Sequence, residues 1–274
     1  MTNGLEPVLL QELTDGVLLL TFNRPDRNNS WNIELEEAYF DALYEAGKNP
    51  AVKVIVTTGA GRSFCPGMDM QVLERSAAGT AMTNNGRRPM TYARRIPKPV
   101  IAAVNGACAG IGLIQACASD MRFAVNTAKF TSSFARRGLP AENSLSWILP
   151  RIVGTGVAMD LLLSARVVLA EEALRIGLVN RLYDADELLP QTMAYAKDMA
   201  ANCSPRSMAA IKRQVQDDWE TTSEVSRKEA IRLIRVLREQ SPDFKEGVAS
   251  FTEKRPPNFE GISVAVEVDR EPSP

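Results

Sequence analysis

Apolar positions in the first part of the chain switch between β-branched runs and the i, i+3, i+4, i+7 spacing of a helix face. Val8 to Gln11 and Val17 to Phe22 read as strands on either side of Asp15-Gly16, a two-residue hairpin signal. Asn32 is placed to cap a helix in which Leu35, Ala38, Tyr39, Ala42 and Leu43 share one face. Val52 to Thr57 is a β-branched run suited to a buried strand, followed by the loop Thr58-Gly59-Ala60-Gly61-Arg62. The turn Phe64-Cys65-Pro66-Gly67-Met68-Asp69-Met70 then precedes a helical pattern. Residues 76 to 92 have no clean period and many small or polar side chains, which predicts a mobile loop or lid. After Pro97 and Pro99, Ile101 to Asp120 reads as strand, Asn105-Gly106 turn and buried helix; a strand follows near Met121 to Ala124, and Gly138-Leu139-Pro140 leads into another helix. Alternation of this kind predicts an α/β fold with parallel strands and both sheet faces covered.

From about Ser204 the pattern becomes long and charged, with amphipathic helices expected over Arg206 to Asp218 and Ser223 to Glu239. In the second, Ile231, Ile234 and Leu237 lie near one face, suited to packing on the chain's own core or on a partner subunit. The acidic end from Ile262 to Pro274, with two prolines, is expected to fray.

Composition narrows the function more than the fold. The 274 residues are 45% apolar and 24% charged, enough for one large core with an accessory segment. Lys and Arg (32) balance Asp and Glu (33), so there is no electrostatic footprint for nucleic acid or an anionic membrane. No apolar run approaches the roughly 18 to 20 residues of a membrane span, and Met-Thr-Asn-Gly-Leu-Glu lacks a secretory pattern, so a cytoplasmic location is expected. Cys65, Cys108, Cys117 and Cys203 show neither zinc-site spacing nor a disulfide framework and are expected to be reduced and structural. Histidine is absent, which removes the commonest general base and leaves carboxylates, Lys, Tyr or Cys for acid-base work. The Gly110-Ile111-Gly112 corner, where a helix start leaves N–H groups unpaired, suits either an oxyanion hole or close helix-to-strand packing.

Several words in order complete a pattern: Asn23-Arg24-Pro25, Phe64 to Asp69, Lys98-Pro99-Val100-Ile101-Ala102-Ala103-Val104-Asn105-Gly106, Gly110-x-Gly112, Asp120, Phe130, Gly138-Leu139-Pro140, Leu149 to Gly154, Ala173-Leu174-x-x-Gly177-Leu178-Val179 and Phe251-x-x-Lys254-Arg255. With this spacing the chain resembles the enoyl-CoA hydratase/isomerase (crotonase) superfamily over about residues 8 to 260. The resemblance implies a crotonase-like spiral of ββα units over 1–200, a helical segment over 201–260 that joins subunits into trimers or dimers of trimers, and a flexible tail over 261–274. It also implies an acyl-CoA thioester substrate, with CoA as part of the substrate and no metal or redox cofactor.

By position, the resemblance makes the backbone amides of Met68 and Ile111 the pair that holds the thioester enolate, flanked by Asp69, Met70, Gly110 and Gly112. It implies Arg24, and also Arg27, near the CoA phosphates, and Phe251 and Lys254 beside the adenine and ribose phosphate of a neighbouring subunit. Arg87 and Arg88 are further basic candidates without a family match. Hydratases of the family use two glutamates, and the corresponding positions here resemble Ile114 and Phe134, neither of which transfers protons. Between Pro99 and Met159 the only carboxylates are Asp120 and Glu142. Asp120 reads as a structural acceptor of local backbone hydrogen bonds. Glu142 matches the single acid of the family's isomerases, although an acidic residue in a first helical turn also simply complements the dipole. An apolar surround of Ile114, Phe134 and Trp147 is expected to raise its pKa. The readings left by the residues are a one-carboxylate isomerase, a hydratase, and a non-catalytic acyl-CoA binder.

Overall fold

Asp15 and Gly16 both take positive φ (51° and 80°), which suits the twist of a tight hairpin and joins β1 (Leu9–Thr14) to β2 (Val17–Phe22) with Thr14 opposite Val17. The structure is a computed structural model that describes residues 7–78 and 88–264. The Asn32 side chain accepts the Leu35 N–H and starts α1 (Ile33–Lys48), which buries Leu35, Tyr39, Phe40, Ala42 and Leu43. Tyr39 meets Phe22 and Trp31 edge-on and Phe40 meets Trp31 at a tilt, so the hairpin and α1 share one apolar layer.

β3 (Val54–Gly59) is buried along its whole length because β2 and β5 (Val100–Val104) flank it in parallel. It begins two residues after the expected Val52. With β7 (Met121–Val125) and β10 (Arg181–Tyr183) these strands form a six-stranded sheet in the order β1-β2-β3-β5-β7-β10, crossed by α7 (Leu188–Asn202). A second sheet has the order β4 (Ser63–Cys65), β6 (Ala107–Ala109), β8 (Lys129–Thr131) and β9 (Val168–Leu169). Strands are parallel as expected except β1 and β9, which pair antiparallel with β2 and β8. Between the sheets runs α3 (Ile111–Ala118), with all eight residues buried, which explains its lack of charge.

Two short helices follow the site region, α2 (Met70–Ala77) earlier and α4 (Leu145–Val153) later, and α5 (Thr155–Ser164) and α6 (Ala170–Arg175) lead to β10. The segment 76–92 is not one irregular loop: Ser76 and Ala77 end α2, and Arg88 pairs with Asp41 at 2.6 Å beside the Tyr44 and Tyr92 rings. Arg87 and the rest of 79–87 lie outside the described residues. The charged C-terminal part forms α8 (Pro205–Asp217), α9 (Ser223–Gln240) and α10 (Pro242–Glu253), the first two at the expected positions. The start of the expected tail is held further than composition suggests: Ile262 is buried, and the backbone N–H of the exposed Val264 donates to the Gly47 carbonyl at 3.1 Å. No helix among the described residues is long and apolar enough to cross a membrane.

Candidate active site

Three neighbouring parallel strands of the second sheet end at one place. β4 runs into Pro66-Gly67-Met68, β6 into Gly110-Ile111, and β8 into Ser132-Ser133-Phe134. Pairing of Cys65 with Cys108 and of Ala109 with Thr131 fixes the three ends side by side. Glycine lets them close up. Gly67 (φ 118°) and Gly110 (φ 50°, ψ −117°) adopt backbone that residues with a Cβ rarely reach, and a Cβ on Gly110 would sit 3.8 Å from the Gly67 Cα. At Gly112 the constraint is space, because a Cβ there would lie 2.0 Å from the Cys65 carbonyl oxygen.

This arrangement leaves two amides available. Trp31 bridges the Met68 segment: its N–H donates to the Gly67 carbonyl at 2.8 Å and its carbonyl accepts the Asp69 N–H at 2.9 Å. Alternation along an extended backbone then turns the Met68 N–H to the opposite side. Ile111 is the first residue of α3, where N–H groups have no partner within the helix. No described residue accepts a hydrogen bond from either amide.

A profile of the family described as "Enoyl-CoA hydratase/isomerase" matches residues 12–262. The 1,2-epoxyphenylacetyl-CoA isomerase of Escherichia coli K12 is 31% identical over 259 residues, covering 92% of this chain and 98% of that protein. The chain belongs to the enoyl-CoA hydratase/isomerase family. Among solved structures, an enoyl-CoA hydratase from Mycobacterium marinum is 46% identical with a TM-score of 0.67 (77% of this chain, 97% of that one). An enoyl-CoA hydratase from Mycobacterium tuberculosis H37Rv is 30% identical with a TM-score of 0.84 (94% and 100%). The two mixed sheets and C-terminal helices are therefore the crotonase fold, and the expected family and fold are both borne out.

In this family member Arg24 is engaged within the chain. Its guanidinium pairs with Asp69 at 3.0 Å and also donates to the Ser30 carbonyl. Asp69 in turn accepts from Ser30 Oγ (3.2 Å) and caps α2 by accepting the Gln71 N–H (3.1 Å). Burial pushes the Asp69 carboxyl up, but the hydrogen bonds from Arg24, Gln71 and Ser30 outweigh it and hold the pKa below the usual range. Sequence reading gave both residues to substrate; the Arg24 to Asp69 tie, which pins the loop before α1 to the Met68 turn, depends on a contact across 45 positions. Arg27 and Met70 are exposed, while Ile114 and Phe134 are buried.

Glu142 is not in a helical turn. It precedes α4 by three residues, and Asn143 and Ser144 after it take left-handed backbone (φ 50° and 60°). A first-turn dipole role is thus removed. The side chain makes no hydrogen bond or ion pair with any described residue, and burial pushes its pKa up. The Trp147 ring meets Trp219 at 4.8 Å and carries Arg94 and Arg151 over it. Asp120 is structural as read, accepting the Val100 N–H at 2.7 Å and pairing with Lys212 at 2.8 Å. Phe251, 87% exposed, and Lys254, the left-handed residue that ends α10, lie at the far end of that helix.

Proposed function

We propose that the chain isomerises the double bond of an enoyl-CoA, with Glu142 as the single acid-base group and the Met68 and Ile111 amides as the oxyanion hole. The observation that carries this reading is Glu142 itself: a half-buried carboxylate, unpaired among the described residues, with a raised pKa. An allylic shift needs one such group. It takes a proton from C2 or C4 of the acyl chain, the two amides hold the charge that develops on the thioester oxygen, and the protonated carboxyl returns the proton at the other carbon. Ile114 and Phe134 supply no second carboxylate for activating water. The dipole of α3 adds to the Ile111 donor.

Water addition is the second reading, favoured by the hydratase name of the 46% identical Mycobacterium marinum protein. Incubation of the purified chain with 3-enoyl-CoA and 2-enoyl-CoA of several lengths, beside Glu142→Gln, separates the two. Isomerisation lost in the variant supports the proposal. Rapid hydration that the variant leaves intact overturns it, and tight thioester binding without turnover favours a carrier.

The CoA end of the site is proposed to be completed by a neighbouring subunit of a homotrimer or a dimer of trimers, through Phe251 and Lys254. The support is that α9 buries no residue within one chain and that Ile231, Ile234 and Phe251 stand exposed. A solution mass near three or six times 30.0 kDa, and a raised KM in Lys254→Ala with kcat retained, are the expected results.

A further inference from the structure

At the opposite end of α3 from the two amides, a cavity of about 550 Å³ opens between α8, the last turn of α4 and the start of β7. Ala118 is seven residues from Ile111, roughly 10 Å along the helix axis, so the cavity is separate from the oxyanion turns. Four cationic side chains line it, Arg94, Arg122, Arg151 and Lys212, against one carboxylate, Asp120. The charge of Asp120 is already engaged by Lys212 and the Val100 N–H. Arg122 is buried and its guanidinium bonds carbonyls, those of Ala116, Ser119 and Leu178, two of them at the negative end of α3.

Arg94 is the decisive residue. Its side chain has no hydrogen-bond acceptor among the described residues, and its guanidinium is held over the rings of Trp219 (4.5 Å) and Trp147 (5.4 Å). Arg151 stacks on the same two rings and spends one donor on the Trp147 carbonyl. Stacking fixes a guanidinium plane while leaving its in-plane N–H donors free, the geometry that suits a carboxylate or a phosphate. None of the described residues supplies that anion.

We propose that this cavity is a binding site for a small oxyanion ligand with two or more negative charges, a phosphate ester or a dicarboxylate, gripped by Arg94 with Arg151 beside it, while Lys212 spends its three donors on Asp120 and the Ala93 and Lys98 carbonyls. The apolar remainder of the wall, including Met121, Met199 and Met208, fits the carbon part of such a ligand.

Trp147 and Trp219 make the site readable by fluorescence. The full chain is titrated with pyrophosphate and, separately, with succinate, both with an excess of CoA present to fill any CoA phosphate site, and each titration is repeated by calorimetry. Saturable binding of one anion per chain is expected, the tighter probe telling phosphate from dicarboxylate chemistry. Arg94→Met should weaken it at least tenfold without lowering the melting midpoint of the anion-free protein. Gln216→Glu, which adds a carboxylate to the cavity wall and removes no cation, should weaken it likewise. Absence of saturable binding for both anions, binding abolished by CoA, or binding that both variants leave intact overturns the proposal. So does a change of oligomeric state in Arg94→Met with no anion bound by the wild type, because a second copy would then fill the cavity.

Discussion

Glu142 carries a charge that no described residue offsets, and burial alone sets the direction of its titration. Its carboxylate is the active form in the proposed isomerisation, so activity should fall with acid through a pKa above the ordinary 4.5. The acid limb of kcat/KM is expected at that raised value, and a limb at or below 4.5 would count against Glu142 as the base. The same shift bears on stability. A group whose folded pKa is raised contributes most below its unfolded pKa and loses that contribution as pH rises through the folded one. Glu142→Gln should therefore melt slightly higher than wild type at neutral pH, with the gap closing toward pH 4; a lower midpoint at neutral pH would reveal a partner for the carboxylate. Gly112 tests the packing side of the same site. With a Cβ 2.0 Å from the Cys65 oxygen, Gly112→Ala must push α3 off β4, at about 1–3 kcal/mol or more, and displace the Ile111 amide. A loss of turnover together with a lower urea midpoint is the expected result.

α2 shows how one element is tied to the site at its first turn. Asp69 caps it, pairs with Arg24 and accepts from Ser30, with both members of the pair largely shielded from water. Removing the cap alone costs about 1 kcal/mol, and leaving a largely buried partner charge costs several more. Asp69→Ala is thus expected to cost upwards of about 2 kcal/mol, and Arg24→Met with Asp69→Ala less than the sum of the two. Additive losses in the double-mutant cycle would dissolve the tie. The elements were legible because each carries its own signal: the Asp15-Gly16 turn, the Asn32 cap, the uncharged run of α3 and the amphipathic period of α8 and α9. The ends were less legible. Ser76 and Ala77 continue α2, and Gly138-Leu139-Pro140 does not start α4 until Leu145, because tertiary contacts decide where a helix stops fraying.

Over the whole molecule, burial produces an alkaline liability. Burial pushes Cys65 to about 12 and Cys117 to about 11 and raises Cys108 well above its ordinary value, so these thiols stabilise the fold below pH 9 and lose that contribution as pH rises. Lys98 acts in the opposite sense. Its ammonium is buried against the Ala46 and Asn49 carbonyls at the end of α1, burial lowers its pKa to about 8, and folding becomes easier as it deprotonates between pH 8 and 10.5. Buried Lys212 shifts the same way. Above pH 9 the thiols pull stability down while the two lysines offset part of that loss, and the buried Tyr39 hydroxyl, pushed up to about 12 by burial, adds to the fall at the alkaline end. A urea midpoint that declines gently and then sharply across this range is expected; a midpoint still rising above pH 10.5 would refute the balance. The amino-acid sequence by itself determined the α/β class, the glycine corners and the uncharged α3, since each rests on local period or on residue chemistry. Only the tertiary structure decided that Arg24 clamps Asp69, that Trp147 packs on Trp219, and that Arg94, Arg122, Arg151 and Lys212 meet around one cavity. Those contacts join residues tens to more than a hundred positions apart, and their free energy comes from burial and charge proximity, which no run of neighbouring residues encodes.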